Sequence, residues 1–206
     1  MTASPLTVAD LARAPAWPRE RVRAIPGRCR GALLRDWGNH VRRLWGDDAL
    51  AALRAELGLD ESALPDAPAL RAWYPVRYQC EATRLIADRF TGGDPLGLAP
   101  LLADAGSRLQ DGVIAWAIRT LGPGVVLKNA GRVHKDLYDV GRCTSRVGKG
   151  EAELRFSGAE LFAEPTWRVL QMFALEATIG ALGRTLVGIE AEDPGGDGFV
   201  ARVAWR

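Results

Sequence analysis

Long hydrophobic runs are missing from this chain: nothing in its 206 residues approaches the ~20 consecutive apolar side chains that a membrane-spanning helix needs. The start, MTASPLTVADLARAPAWPRER, carries acids and prolines but no apolar h-region, so no secretory signal is expected there. Cysteine is scarce. Cys29, Cys80 and Cys143 are far apart, odd in number and never in a C-x-x-C pair. That excludes a readable disulfide framework or zinc site and makes a reducing cytoplasm the expected location. Histidine is scarcer still, with His40 and His134 alone and no H-x-x-x-H spacing to suggest a metal centre. Lysine is nearly absent, 3 against 24 arginines, yet the net charge is only +2. So small an excess does not mark nucleic acid or an anionic membrane as the main partner. G-x-S-x-G, G-x-G-x-x-G and G-x-x-x-x-G-K-[ST] are all missing, and with them the usual sequence signs of serine hydrolysis and of nucleotide binding. No catalytic residue is nominated, and whether the chain is an enzyme stays open, with a non-enzyme favoured.

What is present describes an ordinary globular protein, 48% apolar and 25% charged. Residues 1–28 hold Pro5, Pro15, Pro18 and Pro26 and a basic run of Arg19, Arg21, Arg23 and Arg28. They read as a flexible or loosely packed N-terminal arm with one short helix near Leu6 to Ala14, and the basic run as a solvated segment. Residues 29–206 read as a single α+β domain of ligand-binding type.

Within it, Leu33, Trp37, Val41, Leu44 and Trp45 recur at helical spacing. Gly46 breaks that helix, and Asp47 can cap the next one through Leu57. WYPVRYQCEATRLIADRF is expected to be a third helix with Pro75 near its first turn. Asp94 and Pro95 open a further helical stretch. Pro123 starts a helix whose stripe is Val126, Ala130, Val133, Leu137 and Val140. At Gly141 the period changes from helical to two, and RCTSRVGKGEAELRF reads as a hairpin turning at residues 148–150. EPTWRVLQMFALEATIGALG is a helix apolar almost all round, from Pro165 to Gly183, and should be buried on two sides. Two closing strands flank DPGGDG, whose acids lack calcium-loop spacing and whose glycines suit a hairpin turn. A run of helices followed by strand-strand-helix-strand-strand points to α+β: N-terminal helices, then a ββαββ antiparallel sheet unit packed on helices.

His134 lies on the edge of its helix's apolar stripe. A histidine there can be an axial haem ligand, or a boundary residue bonded to a backbone carbonyl. Cys143 has arginines nearby in sequence but no paired histidine, and a buried small hydrophobe is the usual role of such a thiol. The apolar surplus of the 166–182 helix is free to pack on the N-terminal helices, on a second subunit or around an apolar ligand.

The phrases GPGVVLKNAGRVHKDLYDVGR, LFAEPTWRVLQMFALEATIGALG and GIEAEDPGGDGFVARVAWR, after a long helix carrying Arg108, resemble a set of paralogous proteins abundant in myxobacteria. In outline, over roughly residues 30–206, the arrangement is similar to the four-vinyl-reductase domain, the haem-NO-binding domain and the TRAPP small-subunit fold. That resemblance implies helices over an antiparallel sheet enclosing a pocket for a small apolar molecule, with a task in ligand sensing, tetrapyrrole handling or complex assembly. The Y-x-S-x-R pattern that holds haem propionates is absent, as are spaced cysteines near the last hairpin, so no resident cofactor and no metal are expected. The function expected is a non-catalytic regulatory or adaptor domain binding a small hydrophobic ligand. The alternatives are a haem-based sensor using His134, or a homodimeric assembly subunit with itself or another protein as partner. The pocket is expected from Trp116, His134, Tyr138, Trp167 and Phe173, with Arg108 as polar anchor.

Overall fold

The computed structural model describes residues 5–58, 64–102 and 122–206. Its first helix, α1 (Val8–Ala12), is fixed by a reciprocal cap: the Thr7 side chain accepts from Asp10 N–H, and the Asp10 carboxylate accepts from Thr7 N–H at 2.9 Å. Just before it, Leu6 exchanges backbone hydrogen bonds with Ala191 at 2.7 and 2.8 Å, tying the N-terminal segment to a strand near the far end of the chain. A second short helix, α2 (Arg19–Arg23), buries Val22. Leu11, Trp17, Val22 and Ile25 all belong to the main buried cluster, so "loosely packed" does not describe residues 5–28. The basic run is not merely solvated either. Arg19 and Arg23 both reach Glu81, at 3.4 and 3.1 Å. Arg21 pairs with Glu160 at 3.2 Å and lies over the Trp17 ring.

A short strand, β1 (Arg28–Arg30), leads into α3 (Gly31–Trp45) and α4 (Asp47–Leu57). Leu34, Trp37 and Val41 are buried on α3 while Leu44 is 40% exposed, so the inward face is shifted from the expected Leu33–Leu44 stripe. Asp47 is the first residue of α4 rather than its cap; it pairs with Arg42 at 2.6 Å, and Gly46 holds the cap position at φ 91°. The expected third helix begins late. Trp73–Pro75 form β2, antiparallel to β1, and α5 spans Arg77–Phe90. The cause is local: Pro75 disfavours helical backbone in the residue before it, so Tyr74 is extended and pairs with Cys29. A 3₁₀ turn, Pro95–Leu98, follows, with Asp94 accepting from Leu96 N–H at 2.9 Å as its sequence suggests.

Residues 122–128 are helical and turn at Asn129 into α6 (Ala130–Leu137). Then come β3 (Arg142–Gly148), β4 (Glu151–Ser157), a 3₁₀ turn (Glu160–Ala163), α7 (Pro165–Ala181), β5 (Leu186–Glu192) and β6 (Phe199–Trp205). The last four strands make one antiparallel sheet in the order β3-β4-β6-β5, and the α+β, ββαββ architecture expected from the sequence is present. The β3–β4 hairpin turns where the period predicts, with Gly148 paired to Glu151 and Gly150 at φ 78°.

Cross-strand pairing stacks Phe156 beside Phe199, Leu154 beside Ala201 and Ala152 beside Val203 on one face of the sheet. α7 packs on β5 and β6 and also against α1 and α5. That two-sided burial accounts for a helix with almost no polar face, so the apolar surplus is used up inside the chain. Glu164 caps α7, accepting from Trp167 N–H at 2.5 Å. From the first turn of α7, Arg168 donates to Phe162 O (2.6 Å), Gly198 O (2.9 Å) and the Asp193 carboxylate (2.8 Å), pinning the DPGGDG loop between β5 and β6. No helix among the described residues is long and apolar enough to cross a membrane.

Candidate functional site

The site begins with a close approach. Gly131 on α6 sits against β3 so tightly that a Cβ there would lie 2.5 Å from the Cys143 carbonyl oxygen. One turn further along α6, His134 is buried against the sheet, while Val133, expected on the inward stripe, is 48% exposed. The helix is rotated relative to the expected stripe, which makes His134 an inward residue and not an edge one. After α6, Tyr138 forms an isolated bridge with Cys29, and Gly141 (φ 62°) reverses the chain into β3. A Cβ at Gly141 would meet Phe162 at 2.2 Å, so glycine is needed there for space as well as for conformation.

This turn returns the Val140 carbonyl to His134, whose Nε2 lies 3.0 Å from the oxygen. With a carbonyl as partner, Nε2 carries the proton and donates, and Nδ1 of the neutral ring keeps the lone pair. Burial pushes the His134 pKa down, opposed more weakly by the Val140 contact, so the neutral form is favoured. The imidazole stacks on Tyr138, centroids 5.1 Å apart, and meets Phe156 and Phe162 at 5.9 and 5.5 Å. Behind these rings Trp167 touches Tyr138, Phe156 and Phe162 at 6.4, 5.3 and 5.0 Å. The Tyr138 hydroxyl donates to Gln79 Oε1 at 3.1 Å, joining the cluster to α5. Burial first, with the nearby Cys29 second, raises the pKa of that phenol, and it remains protonated.

Between α6, the sheet and α7 lies a cavity of about 270 Å³. Leu127, Ala130, His134 and Tyr138 line one side, Cys143, Leu154 and Phe156 the floor, and Gln171, Leu175 and Thr178 of α7 the other side. Among the described residues that line it there is no carboxylate, lysine or arginine. The Thr178 hydroxyl is used by the Ala174 carbonyl at 2.7 Å. Burial pushes the Cys143 thiol to about 12, so it stays a thiol and not a nucleophilic thiolate. The described lining therefore suits an apolar body with the His134 ring at its wall.

Of the residues expected to form the pocket, His134 and Tyr138 line this cavity together. Trp167 is buried behind Tyr138 and Phe156, supporting the wall without lining it. Phe173 is buried but is not among the lining residues. Arg108 and Trp116 lie outside the described residues. Sequence reasoning missed Gln79, Phe156, Gln171 and Thr178. Phe156 alone had a signal, its place on the inward period of β4; the others arrive from elements whose packing no spacing reveals. Among the described residues, no group of three histidine, cysteine, aspartate or glutamate side chains is placed to hold a metal ion without further ligands.

No protein-family model matches the chain, and no curated protein does. The myxobacterial resemblance thus finds no support in these comparisons. Solved structures do match. The Fe(II) unliganded H-NOX protein from K. algicida superposes with a TM-score of 0.63 at 8% identity, covering 86% of this chain and 96% of that one. The H-NOX protein from S. oneidensis in the Fe(II)NO ligation state gives 0.62 at 10%, covering 86% and 99%. A structure reported as "Modulating Heme Redox Potential Through Protein-Induced Porphyrin Distortion" gives 0.60 at 14%, covering 85% and 99%. At these identities the likeness is one of fold. It supports the haem-NO-binding part of the resemblance and corrects one expectation from the sequence: that a chain of this outline goes without a resident cofactor. These three structures are described by Fe(II) or by heme.

Proposed function

We propose that this chain is a ligand-sensing domain without chemistry of its own, and that haem held through His134 is its ligand. One observation carries the reading: a buried, neutral imidazole lines an apolar cavity in a fold whose solved examples include structures described by heme or Fe(II). The donor chemistry fits. A metal-binding histidine characteristically gives its other ring N–H to a backbone carbonyl, which sets the tautomer and raises ligand basicity. His134 does this with Val140. When bound, haem supplies an iron site for a small diatomic ligand. The chain's own part is to hold His134 in one tautomer and to exclude water with Leu127, Leu154, Phe156 and Leu175.

A second reading rests on size and charge. A volume of about 270 Å³ falls just below the ~300–1,000 Å³ typical of ligand cavities, and the described lining offers no cation for a carboxylate. Both favour a neutral apolar molecule smaller than a tetrapyrrole, sensed in the same cavity and still against His134.

Haemin titration followed by absorption spectroscopy, with native mass spectrometry of the protein as purified, separates the two. A Soret band that is lost in His134→Ala, while the variant still unfolds cooperatively, supports the haem reading. A protein that ignores haemin but carries a small apolar molecule supports the second. A chain that takes neither at micromolar concentration overturns both.

A further inference from the structure

Among the described residues, helices pack on one face of the sheet only, and one row of charges on the other face is its own complement. Because successive side chains alternate across a strand, the residues between the core-facing ones point away from α7. Register aligns four of them in a single row across the sheet: Arg146 on β3, Glu153 on β4, Arg202 on β6 and Glu190 on β5. The signs run plus, minus, plus, minus. The two inner residues are bonded to one another, Arg202 Nε to Glu153 at 3.0 Å, and Arg202 also reaches Glu192 at 2.6 Å. The two ends, Arg146 and Glu190, are exposed and have no ion pair among the described residues. In the neighbouring row Gly148, Ala204 and Gly188 leave a shallow groove of about 530 Å³ over the sheet, with Glu151 at its side.

We infer that this face is a homodimer interface, its occupant a second copy of the same chain, related by a two-fold axis that runs parallel to the strands and midway between β4 and β6. Such an axis carries β3 onto the partner's β5 and β4 onto the partner's β6. Each positive position then meets a negative one: Arg146 opposes Glu190 of the partner subunit, and Arg202 opposes Glu153 of the partner subunit. An isologous contact requires this kind of self-complementarity, which few charge arrangements satisfy. In the groove row, Glu151 comes over Ala204 of the partner subunit, where there is room for its side chain.

The alternation is also what favours a second copy over other occupants. The row carries no net charge, so a polyanion or polycation would meet as many like charges as opposite ones. The apolar face of α7, the other place for self-association in this sequence, is already spent on the sheet and on α1 and α5. The dimer is independent of what the His134 cavity holds.

Two charged sheets give a contact held by charge pairing at modest affinity and weakened by salt, since desolvating the ions offsets much of their attraction. Sedimentation velocity on the full chain, over a concentration series at low and at high salt, tests this. Wild-type protein is expected to dimerise at low salt and to dissociate as salt rises. Arg146→Glu and Glu190→Arg, both at exposed positions without an ion pair in the chain, each place like charges across the axis. Each should weaken association about tenfold or more. Mixing the two single variants restores opposite signs at both ends, so the mixture should recover a heterodimer, and the double variant should recover a homodimer. Circular dichroism confirms that all variants are folded. A wild-type monomer at low salt, a dimer indifferent to both single variants, or a mixture that stays monomeric each overturns the assignment.

Discussion

His134 owes its character to burial. Its pKa is held below the ordinary histidine value because the charged ring loses water in the cavity, while the Val140 carbonyl contact recovers only part of that loss. In the unfolded chain the same residue titrates near ~6.5. As pH falls below that value the unfolded state takes up the proton first, and stability falls with it. Urea denaturation at pH 7.5 and at 5.5 should therefore show a lower midpoint at the acid end, with a smaller drop in His134→Gln. An equal drop in both proteins would place the titrating group elsewhere. Cys143, on the cavity floor, and Cys29, beneath Tyr138, are both held at about 12 by burial, so neither contributes a thiolate near neutral pH.

The decisive contact between elements is α6 on β3. It depends on Gly131, where a methyl group would press on the Cys143 carbonyl oxygen at 2.5 Å. Backbone cannot yield as a flexible side chain can, so Gly131→Ala has to lift α6 off the sheet. The expected cost is about 1–3 kcal/mol, the range for overpacking, partly offset by the better helix propensity of alanine. Guanidinium unfolding should register the loss. The same displacement alters the His134 cavity, so any haemin affinity should fall in Gly131→Ala more than in a control of equal stability cost such as Val22→Ala, which lies on α2. Equal effects would mean that the helix position does not matter to the site.

At the level of the whole molecule the N-terminal segment is structural. It inserts Leu11, Trp17, Val22 and Ile25 into the buried cluster, pairs Leu6 with β5, and sends Arg19 and Arg23 to Glu81, a carboxylate only 6% exposed. Losing one large buried aliphatic side chain typically costs ~2–5 kcal/mol, and whole-domain stability is only ~5–15 kcal/mol. A chain starting at Gly27 should therefore lose its cooperative thermal transition and bind hydrophobic dye. A sharp transition close to that of the intact protein would show that residues 27–206 hold together alone. Arg28, just past that cut, bonds to Asp139 at 2.6 Å through both its side chain and its backbone N–H, so β1 also fixes the chain where it leaves α6.

The α+β class, the two hairpins, the Pro165 start of α7 and the Asp94 cap were legible in the sequence because each rests on local chemistry: side-chain period, proline geometry and capping donors. Composition alone also argued against a membrane-spanning helix. Tertiary structure decided the rest. The pairing of β1 with β2 joins residues more than forty positions apart, and no window of sequence contains both partners. The rotation that buries His134 and exposes Val133 was set by the Gly131–Cys143 approach and the Gly141 turn, which a helical wheel does not contain. Gln79, Gln171 and Thr178 join their elements to the site only through packing. The alternating charge row exists only once strand order and register bring Arg146, Glu153, Arg202 and Glu190 side by side. Local periodicity determines which elements form; long-range register determines which residues meet, and the candidate site of this chain depends on the second.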